Sequence, residues 1–285
     1  MTNEMETQHK NNRSFLRYFV LILILTGLSA AIAYAASFLI KKEWRAEAYV
    51  GAPTANSLGN YYSLSSMYQF VSGKPTDTTP MDFVYREFKK QAGSYDVVVD
   101  FWRNTDFYKQ KQTGENVFDQ QELERLANSL GFTPQQAING LSEKIGDRVS
   151  LTLGSPKQAT ELLSDFVDYV NLKTRSVVYN ELIYRWKVLF DEVKKAGELN
   201  VGNMQKNNTY VSVEDWQGKL KLMQSVTPLD DQLIGYRYFK KPTTTVQATS
   251  PDRVLWGVIG AGLGGIISGF IIYMLARRKK TSKKL

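Results

Sequence analysis

Two apolar stretches without a single charge bracket the chain, Tyr18–Ile40 and Val254–Ala276. A hydrocarbon core about 30 Å thick is crossed by roughly 20 helical residues, so each stretch predicts a transmembrane helix. The sequence between them, 41–253, has ordinary globular composition and is long enough to bury its own core. The expected layout is a tail (1–17), a span (18–40), a large domain (41–253), a second span (254–276) and a basic tail (277–285).

The formal net charge is +8, and most of the excess sits at one end. Arg277, Arg278, Lys279, Lys280, Lys283 and Lys284 follow the second span with no acidic residue among them, while the middle is close to neutral. The basic charge therefore points to no nucleic-acid surface. A basic block directly after a span marks the cytoplasmic side. Two spans then place both termini in the cytoplasm and the domain in the periplasm. Ala33-Tyr34-Ala35 also fits a signal-peptide cleavage site, but the apolar run continues through Ser37–Ile40 and favours a retained anchor. The chain has no cysteine, so it carries no disulfide or thiolate ligand.

Within the domain, Arg45–Val50 predicts a strand and Asp147–Leu153, with its apolar alternation, a half-buried one. Tyr61–Phe70, Pro80–Lys90 and Phe118–Leu130 predict helices, the last stopped by Gly131. Val97–Trp102 fits either strand or helix. Thr133-Pro134-Gln135-Gln136 has the form of a capping box opening a further helix. Ser155-Pro156-Lys157-Gln158 has it again, and neither proline nor glycine then occurs before Gly197. That frame predicts one helix over about 156–196, roughly 60 Å long at 1.5 Å per residue. Leu162, Phe166, Tyr169 and Val170 give its first half an apolar side. Val178, Leu182, Trp186, Leu189 and Val193 give its second half a seam against another helix. The phase slips near Lys173–Ser176, so two helices with a break are the alternative. Asn200–Thr209 reads as a polar link, Val211–Gln224 as a returning helix and Leu233–Phe239 as a strand. The expected fold class is an α+β domain with a long protruding helix, held by transmembrane helices at the chain ends.

Gly260, Gly262 and Gly265 match a dinucleotide fingerprint, but inside an apolar span and with no acidic residue after it to hold a ribose. Close packing of membrane helices is the better reading. Gly257, Ala261, Gly265 and Gly269 recur every four residues, Gly260, Gly264 and Ser268 form an adjacent row, and the first span carries Gly27, Ala31 and Ala35. The sole histidine, His9, lies in the N-terminal tail, and no phosphate-binding loop occurs. Glu122, Glu124, Asp230 and Asp231 read as solvated charge. Tyr61, Tyr62, Trp102, Trp186 and Trp216 suit core and interface packing, with sugar stacking as the functional alternative. No catalytic, cofactor or metal residue is nominated.

Tyr236-Arg237-Tyr238-Phe239-Lys240-Lys241-Pro242, Ser250-Pro251-Asp252-Arg253-Val254-Leu255-Trp256-Gly257 and the glycine-rich span resemble the Wzz-type chain-length determinants, also called polysaccharide co-polymerases. Val149–Leu153 followed by Ser155-Pro156 at the head of a long helix is similar as well. Where the family carries a second proline shortly after the first, this chain has Thr243-Thr244-Thr245. The resemblance implies a non-enzymatic inner-membrane protein that assembles as a homo-oligomer. Such a protein sets the modal length of O antigen, enterobacterial common antigen or a related glycan. Its implied partners are a Wzy-type polymerase, the nascent lipid-linked polysaccharide and the membrane; no cofactor is implied. A capsule-export adaptor, a tethered sensor and a membrane-bound glycan hydrolase are the other readings of this layout.

Overall fold

The computed structural model describes residues 2–73, 78–134, 146–199, 201, 203–206, 209–212 and 215–281. For 2–18, 203–206, 209–212 and 275–281 only the backbone is described. The chain divides into two compact units, Arg45–Thr244 and a unit made of both chain ends.

The larger unit is α+β. Its strands are β1 (Trp44–Gly51), β2 (Leu130–Thr133), β3 (Asp147–Leu153), β4 (Asn203–Lys206), β5 (Thr209–Ser212) and β6 (Arg237–Thr244). One sheet has the order β2-β3-β1-β6, with β2/β3 and β1/β6 antiparallel. The alternation in β3 is read out directly: Val149, Leu151 and Leu153 are buried, and Arg148, Ser150 and Thr152 lie on the other face. Pro242 sits on the edge strand β6. Pairing with β1 shifts there from Glu47↔Thr243 to Tyr49↔Lys240, a bulge that absorbs the missing N–H.

The helices of this unit are α2 (Asn60–Ser72), α3 (Pro80–Ala92), α4 (Tyr95–Asn104), α5 (Asp106–Lys109), α6 (Asn116–Ser129), α7 (Pro156–Glu198) and α8 (Trp216–Gln224). They follow α1 of the other unit. The long helix is unbroken over 43 residues, so the two-helix alternative is set aside. Its N-cap Ser155 makes no side-chain capping bond, and Pro156 at N1 supplies the start. Three apolar clusters follow one another along it. Leu163, Phe166, Val167 and Val170 pack against Phe88, Phe101, Trp102 and the inner face of the sheet. Val178 and Leu182 meet Leu58, Tyr61, Leu64, Val84 and Leu233. Val193 meets Val71 and Met223, with Trp186, Leu189 and Trp216 around them. At the predicted phase slip, Thr174 is fully buried and its hydroxyl donates to Val170 O at 2.8 Å.

Several sequence expectations are corrected. The choice left open at Val97–Trp102 is decided for helix, with Val98, Phe101 and Trp102 buried at helical spacing. Gly131 lies inside strand β2, and α6 ends at Ser129. Part of the link Asn200–Thr209 is an antiparallel hairpin, β4 with β5. The returning helix starts only at Trp216, where Asp215 Oδ1 accepts from Gly218 N at 2.8 Å. Leu233–Tyr236 is not strand. Asn171 of α7 donates to Leu233 O (3.1 Å) and accepts from Gly235 N (2.7 Å), taking up backbone groups that a ladder would otherwise pair. The helix expected after Thr133 falls on 135–145, outside the described residues.

The smaller unit contains α1 (Thr2–Ala36), a short 3₁₀ turn at Ser37–Leu39, and α9 (Arg253–Thr281). Phe19–Leu39 and Arg253–Met274 are long and apolar enough to cross a membrane. Glu43 N donates to Ser250 O at 3.0 Å and Thr249 N to Glu43 O at 2.8 Å, tying the strands of chain that lead from the two helices.

Candidate functional site

The glycine-rich span is the first place where geometry discriminates among predicted residues. A Cβ on Gly260 would lie 2.8 Å from Ser29 O and 3.2 Å from Ala30 Cα, besides striking Ala33. One on Gly264 would overlap Ser29 and sit 3.3 Å from Thr26 Cα. Ser29 Oγ donates to Gly260 O at 2.6 Å, a hydrogen bond between α1 and α9 that only the absent side chain permits. Gly260, Gly264 and Ser268 are the buried row, with Gly257, Ala261 and Gly265 beside it. Gly265 stands 3.9 Å from Thr26 Oγ1, whereas Gly257, Gly262, Gly269 and Gly27 have open space where a Cβ would go. On α1 the row that approaches α9 is Thr26, Ser29, Ala30 and Ala33, and Gly27, Ala31 and Ala35 are exposed. The sequence reading missed Ser29; a hydroxyl within an apolar span was the available signal.

Ser250 takes part in the bridge to Glu43, and Pro251 follows it through a cis peptide bond. Asp252 Oδ1 accepts from Val254 N (3.0 Å) and Leu255 N (3.1 Å), closing the first turn of α9. Arg253 lies over the Phe38 ring at 4.2 Å.

In the larger unit several polar side chains pair with one another within the fold. Tyr169 Oη donates to Asp100 Oδ2 at 2.5 Å and Lys173 Nζ approaches the same oxygen at 2.8 Å. The Lys173 ammonium, then the Tyr169 hydroxyl, holds the Asp100 carboxyl below its usual range. Tyr85 donates to Asp147 Oδ2 (2.6 Å) and Tyr236 to Asp168 Oδ1 (3.0 Å); burial pushes both phenols well up. Of the carboxylates expected to be merely solvated, Glu122 is gripped by Arg125 (2.7 Å) and Lys111 (2.9 Å), which bring it down to about 2 despite partial desolvation. Asp230 Oδ2 accepts from Asn60 N at 3.1 Å, at the start of α2. Among the described residues no cluster of His, Cys, Asp or Glu could hold a metal ion. The helix seam, Val178 to Val193, packs on α2 and α8 of the same chain, with Tyr68 and Trp186 ring centroids 6.4 Å apart.

No protein-family model matches the sequence. Curated relatives match it over more than four-fifths of its length. The ECA polysaccharide chain length modulation protein of Salmonella typhimurium strain LT2 is 28% identical over 83% of this chain and 86% of its own. The protein of the same name from Escherichia coli K12 is 25% identical over 85% and 88%. A solved full-length bacterial polysaccharide co-polymerase superposes with a TM-score of 0.59 at 14% identity, over 93% of this chain and 96% of that one. This chain is thus similar in sequence to chain length modulation proteins and shares its fold with the polysaccharide co-polymerases. A fragment of the Salmonella Typhimurium co-polymerase WzzB shares the fold at a TM-score of 0.52 and 15% identity, covering 74% of this chain and all of that one. Wzz-type proteins modulate polysaccharide chain length and are non-catalytic. The side chains described above accordingly shape surfaces and pair with one another.

Proposed function

We propose that this Wzz-type chain sets the length of an ECA-type polysaccharide, working as a homo-oligomer beside a Wzy-type polymerase and its lipid-linked product. The observation that carries the ECA assignment is the likeness to two ECA chain length modulation proteins over more than four-fifths of every chain compared. In this reading 18–40 and 254–276 span the inner membrane, 1–17 and 277–285 are cytoplasmic, and 41–253 is periplasmic. The basic run after Ala276 supports that orientation. No observation among the described residues favours the export-adaptor, sensor or hydrolase readings.

Deleting the gene in its host and resolving ECA and O antigen separately by chain length tests the assignment. The expected result is ECA that is still polymerised but has lost its preferred length, with O antigen unchanged. Loss of all polymer, or a change confined to O antigen, refutes the ECA reading. Reporters fused after Leu285 and inserted near Asn207 should read cytoplasmic and periplasmic respectively.

A further inference from the structure

The stretches of chain that lead out of α1 and into α9 enclose a pocket of about 680 Å³, and every residue lining it belongs to the smaller unit. Its rim is fixed by the backbone hydrogen bonds of Glu43 with Thr249 and Ser250. Lys42 and Arg253 bring two cations to the pocket and Asp252 one carboxylate. Asp252 Oδ1 is taken by the amides of Val254 and Leu255, so the helix end is already capped. Neither cation has an ion-pair partner among the described residues. Arg253 is held in place, its guanidinium 4.2 Å over the Phe38 ring, which packs edge-on against Tyr34 at 5.5 Å.

The surroundings decide what kind of anion reaches these cations. Leu39 is 89%, Val246 100% and Val254 73% exposed, and Trp44 and Trp256 are only partly covered. Bare apolar side chains mark a surface that belongs against hydrocarbon, and tryptophans gather where hydrocarbon meets headgroups. In the proposed orientation Lys41 and Lys42 also stand on the periplasmic side, against the usual cytoplasmic bias of basic residues. We propose that this pocket binds the phosphate of an anionic bilayer lipid, a phosphatidylglycerol, in the periplasmic leaflet. The proposal rests on the reading of the two apolar helices as membrane spans. Arg253 offers a guanidinium fork to two phosphate oxygens and Lys42 a point charge. The same two cations repel the ammonium of a zwitterionic headgroup. A glycerol headgroup instead brings hydroxyls that Gln247 and Thr249, both lining the pocket, can pair with.

The test uses the full-length protein reconstituted in phosphatidylcholine vesicles, with lipids brominated on their acyl chains as tryptophan quenchers. Of the five tryptophans, Trp44 and Trp256 flank the spans on this side and none lies near the C-terminal basic run, so quenching reports this leaflet. Each cation beside an anionic lipid is worth about fivefold in affinity, so brominated phosphatidylglycerol should be preferred over brominated phosphatidylcholine by at least about fivefold. Lys42→Gln, an exposed position, and Arg253→Gln should each cut that preference severalfold and together bring it close to parity. Arg253→Lys, which keeps the charge, should retain most of it, and Lys41→Gln, outside the pocket lining, all of it. Equal quenching by the two lipids, an unchanged preference in the double variant, or an equal loss in Lys41→Gln overturns the proposal. Displacement of brominated phosphatidylglycerol by one equivalent of a long-chain polyprenyl diphosphate would give the pocket to a carrier lipid and overturn it as well. No quenching by either lipid would remove the spans from the bilayer and refute the membrane reading with it, whereas equal quenching refutes the lipid site and leaves the spans in place.

Discussion

Replacing Gly260 by leucine should separate α1 from α9, and the structure sets both the size of the effect and its control. The Cβ would lie 2.8 Å from Ser29 O and 3.2 Å from Ala30 Cα. These are backbone atoms of α1, which cannot rotate out of the way, so the helices themselves must move. The Ser29–Gly260 hydrogen bond at 2.6 Å is lost with that movement. Contacts of this kind between membrane helices are worth about 1–2 kcal/mol, a factor of roughly 5–30 in the ratio of closely packed to separated helices. Leucine is as apolar as the surrounding span, so insertion is unaffected. With no native cysteine, the pair Thr26→Cys and Gly265→Cys reports the approach directly, because a Cβ at Gly265 would lie 3.9 Å from Thr26 Oγ1. Oxidative cross-linking in native membranes should slow, by up to about 30-fold, when Gly260→Leu is added. Adding Gly257→Leu or Gly269→Leu, where a Cβ meets nothing within 4 Å, should leave the rate unchanged. Equal slowing by all three substitutions would refute the assignment of the packed row to Gly260 and Gly264.

Glu122 has its carboxyl held at about 2 against an ordinary 4.5, so its contribution is full above pH 4.5 and fades as pH falls toward 2. Glu122→Gln should cost about 0.5–1 kcal/mol at pH 7, modest because the pair is partly solvated, and its denaturation curve should merge with the wild type only below about pH 2. Asn171→Ala strips partners from Leu233 O and Gly235 N; an unmet buried group costs about 1–3 kcal/mol, so a loss of about 2–4 kcal/mol is expected in urea unfolding. Leu182→Glu should destabilise the chain itself, because Leu182 faces α2 and α3 of the same molecule. Tyr184→Glu with Val188→Glu should leave the melting temperature within about 1 °C, as for surface changes generally, and lower the oligomer mass seen by light scattering.

The long helix was legible because its start and its freedom from breakers are local properties. Ser155-Pro156 opens it, and nothing before Gly197 forbids helix. Strand β3 was legible from alternation alone. Val97–Trp102 was ambiguous only because a six-residue apolar run satisfies both periods; the burial of Val98, Phe101 and Trp102 settles it. Leu233–Tyr236 was misread because its β-like composition is overridden by one distant side chain, Asn171, which no local pattern announces. The small residues of the spans were legible as a class and not by direction. The rotation of a membrane helix is set by its partner, so Gly260 and Gly269 look alike in sequence although only Gly260 lies against backbone.

Helix α7 shows how a chain without catalytic groups can still carry function. A face turned inward by Val178, Leu182, Trp186, Leu189 and Val193 spends the sequence-visible seam on the chain's own α2 and α8. What remains outside is not uniformly polar. Val177 is 42%, Tyr184 67% and Val188 40% exposed. Their spacings of seven and four put them on one stripe of the helix. An apolar stripe left in water is costly, and stripes of this kind mark contact sites. The proposed homo-oligomer needs a second face beyond the intramolecular seam, and this stripe, with Leu172 and Ile183 exposed beside it, is a face α7 has to offer. Assembly and folding then draw on opposite sides of one helix, so mutations on the two sides should separate the two properties.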